Sequence, residues 1–304
     1  MRFSLYLPVL FLLAGCEGGV NPIDAKKVLS SMEGPKVATV SETLAANAAA
    51  ASEQGDFVLA AQLYEQALEK QPDNKSWIVS LAEAYRRSGE SAKAISVFDA
   101  ALALDANDFA AKEGKALALM ENGDFETPVM LLDEVIKADP ARWRALNAMG
   151  ILFSIRDMQA EAQSYFEAAL KQNPSSPTIH NNMGLSLALA KQYDEAIANL
   201  IKASHLAGAG KFDRKRIELN LSLVYASSGK MQEAREIAER YFSGAALKNN
   251  LGLYAHLADD DQLAKAYLNM ALTESKVFYD RAWDNLQLID KVKGADSSFS
   301  TPTP

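Results

Sequence analysis

The side chains able to do covalent or metal chemistry are few: one cysteine, Cys16, and three histidines, His180, His205 and His256. A lone thiol closes no disulfide within the chain, and so few soft ligands argue against a Cys/His zinc site. The densest carboxylate run is Asp259-Asp260-Asp261. Acid/base catalysis needs carboxyls converging in a buried cleft, whereas this run falls in an expected inter-helix turn, where capping and solvation account for it. It also lacks the spacing of an EF-hand calcium loop. Gly210-Lys211 precedes Phe212 and has no upstream glycine of a phosphate loop, and neither a G-x-S-x-G elbow nor an H-E-x-x-H helix occurs. The histidines are expected at a core-facing position (His180), near a helix end (His205) and on a groove face (His256). No catalytic residue, metal, cofactor or small-molecule substrate is expected.

Amides offer a different chemistry. Asn147, Asn181 and Asn249 recur at one place in a repeating pattern, Asn182, Asn220 and Asn250 at the next, and Ile151, Leu185, Leu223 and Leu253 stand three or four residues on. A carboxamide both donates and accepts, so such rows could pair with the backbone of an extended peptide, apolar neighbours burying its side chains. The same amides could instead tie one helix to the next. Arg144 adds a cation beside the rows, and Arg86-Arg87 is expected as a solvated pair, with a place along the early groove as the alternative.

These residues must be held by repeated elements. A Gly, Ala, aromatic, Ala, Pro cadence (Gly55, Ala60, Tyr64, Ala67, Pro72) returns 34 residues later as Gly89, Ala94, Phe98 and Ala101, and again as Ala162, Phe166, Ala169 and Pro174. The period and pattern resemble the tetratricopeptide repeat, a helix-turn-helix unit. From Ser41, windows fall at 41–74, 75–108, 109–142, 143–176 and 177–210; a sixth begins near Lys215, after an insertion at Lys211-Phe212-Asp213-Arg214, and a seventh at Ala245. Apolar residues such as Leu146, Met149 and Phe153 share a helix face. Small residues at the eighth position (Gly150, Gly184, Gly252) and alanine at the twentieth (Ala60, Ala94, Ala162, Ala196, Ala234, Ala264) allow paired helices to approach. No unit covers its apolar face alone, so neighbours must stack. The expected fold is all-α: a right-handed superhelical α-solenoid of about seven tetratricopeptide repeats over 41–278, a capping helix over 279–292 and a disordered tail over 293–304. Pro128 replaces the usual alanine in the third repeat and is expected in the first helical turn, where it is tolerated.

The resemblance implies that the first helix of each repeat lines a concave groove. The groove residues are then Arg144, Asn147, Ile151, Asn181, Asn182, Leu185, Asn220, Leu223, Asn249, Asn250 and Leu253.

Composition suits a folded repeat array, with 304 residues, 49% hydrophobic and 23% charged, and only 16 Gly and 10 Pro. A net charge of −8 spread along the chain argues against nucleic acid as a partner. Residues 1–16, MRFSLYLPVLFLLAGC, carry one base (Arg2), an apolar stretch too short to span a bilayer, then small residues and the cysteine. Leu13-Ala14-Gly15-Cys16 resembles the lipobox of bacterial lipoproteins. That resemblance implies a signal peptide over 1–15 and Cys16 as the first mature residue, acylated by diacylglycerol and a further acyl group such as palmitate. Residues 16–40 would be a flexible tether; its turn signals Gly18-Gly19, Asn21-Pro22 and Gly34-Pro35 allow a span of about 25–30 Å. Glu17, rather than Asp, points to the outer membrane, with the body facing the periplasm.

Lipobox, tether and repeats together, with the runs LNAMGILFSIRDMQAEAQSYFEAALKQNPSSPTIHNNMGLSLALAKQYDEAIANLIKA and NNLGLYAHLADDDQLAKAYLNMALTES, resemble the TadD-like lipoproteins of the tight-adherence (Flp pilus) machinery over most of residues 41–290. That likeness implies a non-enzymatic, pilotin-like adaptor binding a secretin or another pilus component. The alternative is a general envelope scaffold organising peptidoglycan or outer-membrane assembly proteins.

Overall fold

A computed structural model describes residues 38–208, 211–275, 277 and 279–297. The expected signal peptide, Cys16, nearly all of the expected tether and residues 298–304 lie outside the described residues. Fifteen α-helices and no strand occur among those described. They are α1 (Val40–Glu53), α2 (Phe57–Leu68), α3 (Lys75–Arg87), α4 (Ser91–Leu104), α5 (Phe109–Glu121), α6 (Pro128–Ala138), α7 (Trp143–Ile155) and α8 (Gln159–Gln172), followed by α9 (Pro177–Leu189), α10 (Tyr193–Leu206), α11 (Lys211–Ser227), α12 (Met231–Tyr241), α13 (Gly244–Leu257), α14 (Asp261–Glu274) and α15 (Asp280–Ser297). In order they fill the seven repeat windows two at a time, and α15 follows the last pair. The chain divides into two compact units between Arg156 and Asp157, one holding α1–α7 and the other α8–α15.

The second helices show why the cadence exists. Ala60, Ala94, Ala162, Ala196, Ala234 and Ala264 are all 0% exposed. Four residues after these alanines, or after Pro128 in the third repeat, Phe98, Leu132, Phe166, Leu200 and Leu268 are buried as well, and seven after them Ala67, Ala101, Val135, Ala169, Ala203 and Ala271. Spacings of four and seven put these on one stripe of a helix. The eighth-position glycines meet that stripe: a Cβ on Gly184 would lie 2.7 Å from Leu200 Cγ and 3.1 Å from the Ala196 carbonyl, and one on Gly252 the same distances from Leu268 and Ala264. Glycine costs about 1 kcal/mol inside a helix, which close packing here offsets.

Between the two helices of each repeat the chain turns through one left-handed residue: Gly55, Gly89, Gly123, Asp157, Lys191, Gly229 or Asp259. The next N–H then reaches the carbonyl five residues back, as in Glu90 to Tyr85 at 2.8 Å and Gln192 to Leu187 at 2.9 Å, closing a Schellman turn.

Three local features refine the sequence reading. Pro128 stands at the first position of α6 and is buried, while the Asp124 carboxylate accepts from the N–H groups of Glu126 and Thr127 in place of a capping hydroxyl. The insertion at Lys211-Phe212-Asp213-Arg214 joins α11, making that helix 17 residues long against 13 for α9. The terminal helix α15 continues to Ser297, past the boundary expected near residue 292. No helix among the described residues is long and apolar enough to cross a membrane.

Candidate partner-binding surface

Within each unit the first helices of successive repeats touch one another, α3 to α5 to α7 in one and α9 to α11 to α13 to α15 in the other. Second helices pack against first helices on either side and make no comparable contact among themselves. The first helices therefore form the inner layer of each unit, and any groove is lined by them.

In the α8–α15 unit that layer is stitched by amides. Asn181, Asn182 and Asn220 are 0% exposed. Asn220 Nδ2 on α11 donates to Asn181 Oδ1 on α9 at 2.9 Å, and Asn181 Nδ2 donates to Asn182 Oδ1 at 3.2 Å. One step along, Asn285 Nδ2 on α15 donates to Asn249 Oδ1 on α13 at 3.0 Å. Ser222 and the Tyr254 hydroxyl share a buried bond of 2.6 Å between α11 and α13. Asn250 is half-buried and donates to the Ala246 carbonyl of its own helix at 2.8 Å. Of the apolar row, Leu185 is buried, while Leu223 and Leu253 remain half-buried.

In the α1–α7 unit the inner layer is ionic. Arg86 is buried rather than solvated, in contrast to the expectation for the Arg86-Arg87 pair. Its guanidinium meets Glu83 at 2.7 Å and also pairs with Glu121 on α5. Arg87 lies over the Phe57 ring at 4.1 Å. The sequence reading missed the carboxylates because a glutamate on a first helix looks solvated until its neighbour across the repeat is known. Burial raises the Glu113 and Glu121 carboxyls above the ordinary glutamate value, outweighing Arg142 and Arg144 at the first and Arg86 at the second. At Glu83 burial also pushes upward, but the Arg86 hydrogen bond and charge, helped by Arg144 and Arg87, hold the carboxyl low. Asn147 and Ile151 on α7 are buried, and Arg144 is half-buried with its guanidinium 5.5 Å from the Trp143 ring.

Two of the three histidines are held by neighbouring groups. Buried His180 stands between Asn199 Oδ1 at 3.0 Å and the Pro174 carbonyl at 3.1 Å. His256 Nδ1 lies 2.6 Å from Asp261 Oδ1, while Asp260 caps α14 through the Leu263 N–H and Asp259 supplies the left-handed turn. His205 is exposed in the last turn of α10. No group of three His, Cys, Asp or Glu able to hold a metal occurs among the described residues.

Two family profiles, both described as tetratricopeptide repeat, match residues 51–118 and 160–210. Those two segments carry tetratricopeptide repeats. Solved structures agree on the fold: a tetratricopeptide repeat protein from Parabacteroides merdae aligns with a TM-score of 0.56 at 19% identity, covering 82% of this chain and 98% of that one. A thermophilic repeat protein of Thermus thermophilus, TTC0263, aligns at 0.54 and 17% identity over 60% of this chain and 98% of that one. Among curated proteins, the uncharacterized protein y4yS of Sinorhizobium fredii is 37% identical over 60 residues, which is 20% of this chain and 33% of that protein. Tetratricopeptide repeat protein 8 of Caenorhabditis elegans is 24% identical over 123 residues, 40% of this chain and 24% of its own length.

The least regular stretch of the helical array is the sixth helix pair, α11 and α12, and there the structure gathers a cluster that the repeat pattern does not announce. Glu218, buried at 5% exposure, accepts from Arg214 Nε at 2.9 Å, Arg240 Nη1 at 3.0 Å, the Tyr241 hydroxyl at 2.7 Å and Ser204 Oγ at 3.1 Å. Burial alone would raise this carboxyl, but the hydrogen bonds from Tyr241, Arg214 and Ser204 and the charge on Arg240 bring it below the ordinary value. The one legible signal was Arg214 four residues before Glu218, a pair on one helix face.

Proposed function

We propose that this protein is a non-enzymatic, lipid-anchored adaptor of the bacterial envelope, held at the outer membrane through acylated Cys16 and facing the periplasm. It takes a polypeptide partner against its inner helices, with a secretin or another component of a Flp/tight-adherence pilus machine as that partner. The observation carrying the adaptor reading is the commitment of the inner-layer polar groups to neighbouring helices. Asn181, Asn220 and Asn249 brace the layer, and what it still offers outward is half-buried: Leu223, Leu253 and Asn250 in one unit and Arg144 in the other. Such a surface can cover a peptide, its apolar side chains burying those of the partner. Membrane attachment and the pilus assignment are supported by the lipobox-like Leu13-Ala14-Gly15-Cys16 and by the family resemblance of residues 41–290.

The test is crosslinking and co-purification of the full-length protein from envelopes of the source bacterium, with the secretin and prepilin subunits followed by mass spectrometry. Wild type should recover a pilus component; Leu223→Gln with Leu253→Gln should lose most of that recovery at unchanged helicity; and Cys16→Ala should leave the membrane fraction. Recovery of cell-wall enzymes instead of pilus proteins would overturn the pilus assignment. Undiminished recovery by the leucine variant would overturn the inner-layer contact.

A further inference from the structure

We propose that the edge where α11 begins and α12 ends is a second docking surface, recognising a short acidic segment of a protein partner. The insertion of residues 211–214 is the clearest departure from the 34-residue period, and insertions in repeat arrays collect on one face, often the binding face. Because this one folds as an added helical turn, Arg214 and Lys215 are mounted on a rigid element rather than a loop.

Glu218 makes the cluster contiguous. It draws Arg214 from α11 and Arg240 from α12 onto one buried carboxylate, yet the two arginine side chains stay 49% and 55% exposed. A guanidinium has five N–H donors. Arg214 uses Nε on Glu218, and Arg240 uses Nη1 on Glu218 and Nε on the Glu236 carbonyl, so each keeps donors turned to solvent. The Glu236 carboxylate is occupied by Gln232. Lys215 is exposed, and its ammonium sits 5.4 Å from the Tyr241 ring and 5.6 Å from the Phe242 ring, with no carboxylate in ion-pair range among the described residues. Two guanidiniums held on one carboxylate and an ammonium against two half-buried aromatic rings thus share one rim, in a chain whose net charge is −8.

The charge balance selects the occupant. A membrane or a nucleic acid is an extended array of negative charge and meets the repulsion of the whole acidic molecule. A short acidic segment meets only the charges within a screening length of about 8–10 Å, the exposed Arg214, Lys215 and Arg240 among them. Carboxylates also match the arginine fork as two parallel hydrogen bonds, and the rings of Tyr241 and Phe242 can cover the stems of glutamate side chains.

The experiment uses the full chain and a fluorescein-labelled octaglutamate peptide, followed by anisotropy at low and at moderate salt. Wild type should bind, more weakly as salt rises. Lys215→Glu, which leaves every Glu218 bond in place, should weaken binding about tenfold, and adding Arg240→Gln should abolish it while circular dichroism reports an intact fold. Lys70→Glu, the same change of net charge in the other unit, should have little effect. Absence of binding by wild type, equal losses from Lys70→Glu and Lys215→Glu, or tighter association with phosphatidylglycerol vesicles than with the peptide would each overturn the proposal. It does not rest on the adaptor reading above: octaglutamate binding without recovery of any pilus protein would support this surface and sink that assignment.

Discussion

Asn220 on α11 and Asn181 on α9 join through a single amide-to-amide hydrogen bond of 2.9 Å, with both side chains wholly removed from solvent. This bond links the first helix of one repeat to the first helix of the next, across 39 residues of sequence. It makes the amide row part of the stacking, because a buried carboxamide without a partner would cost more than the bond itself contributes.

Replacing Asn220 with alanine should therefore destabilise the α8–α15 unit by about 1–3 kcal/mol, the range for stranding the partner of a buried hydrogen bond. Asn250→Ala, which removes only a bond to its own helix at a half-buried site, should cost less than about 1 kcal/mol. Urea denaturation of both variants checks the order; equal midpoints would show that the buried bond carries no special weight.

The helices were legible because every repeat restates the same packing problem. Ala60, Ala94 and Ala162 announce a close helix crossing by type and spacing, and all three are sealed. The inner-layer chemistry was half legible. The rows Asn181 and Asn220 could be found by position, but whether an amide faces a ligand or the next helix depends on a neighbour 39 residues away, which no local pattern reports. The same holds for Arg86, whose partner Glu121 lies 35 residues on. The start of the sixth repeat was placed near Lys215 because the four residues before it broke the period, although four added residues fit one more turn of helix and α11 begins at Lys211.

Two buried glutamates should respond to acid in opposite directions. Glu218 has a lowered folded value, so its stabilising contribution is complete above the unfolded value, about pH 4.3, and disappears as pH falls through the folded one. Glu113 has a raised folded value, so the cost of burying its charge is complete above that value and is relieved as pH falls toward 4.3. At neutral pH, Glu218→Gln should then destabilise by about 2 kcal/mol, whereas Glu113→Gln should be neutral or stabilising. Melting curves at pH 7 and pH 5 test both signs; destabilisation of similar size by both substitutions would contradict the difference in their surroundings.

Lys191 occupies at φ 60° the turn position that Gly55, Gly89, Gly123 and Gly229 fill in other repeats. A left-handed backbone costs an ordinary L-residue about 1–2 kcal/mol, partly returned by the greater freedom glycine has when unfolded. Lys191→Gly should raise stability by about 0.5–1 kcal/mol. An unchanged or lower melting temperature would mean that the lysine side chain contributes as much as its backbone geometry costs.

Gly184→Ala sets two effects against each other. Alanine is favoured over glycine by about 1 kcal/mol within a helix, so an open site would gain stability. Here the new methyl would fall 2.7 Å from Leu200 Cγ and 3.1 Å from the Ala196 carbonyl, and a backbone oxygen cannot swing aside. Overpacking of this kind costs about 1–3 kcal/mol, so the net change should be a loss. Removing the clashing Cγ with Leu200→Ala should restore part of that loss in the Gly184→Ala background although it destabilises wild type, a coupling that a double-mutant cycle reads directly. Additive losses would show that α9 and α10 separate as a whole when the methyl is added, rather than repacking around it.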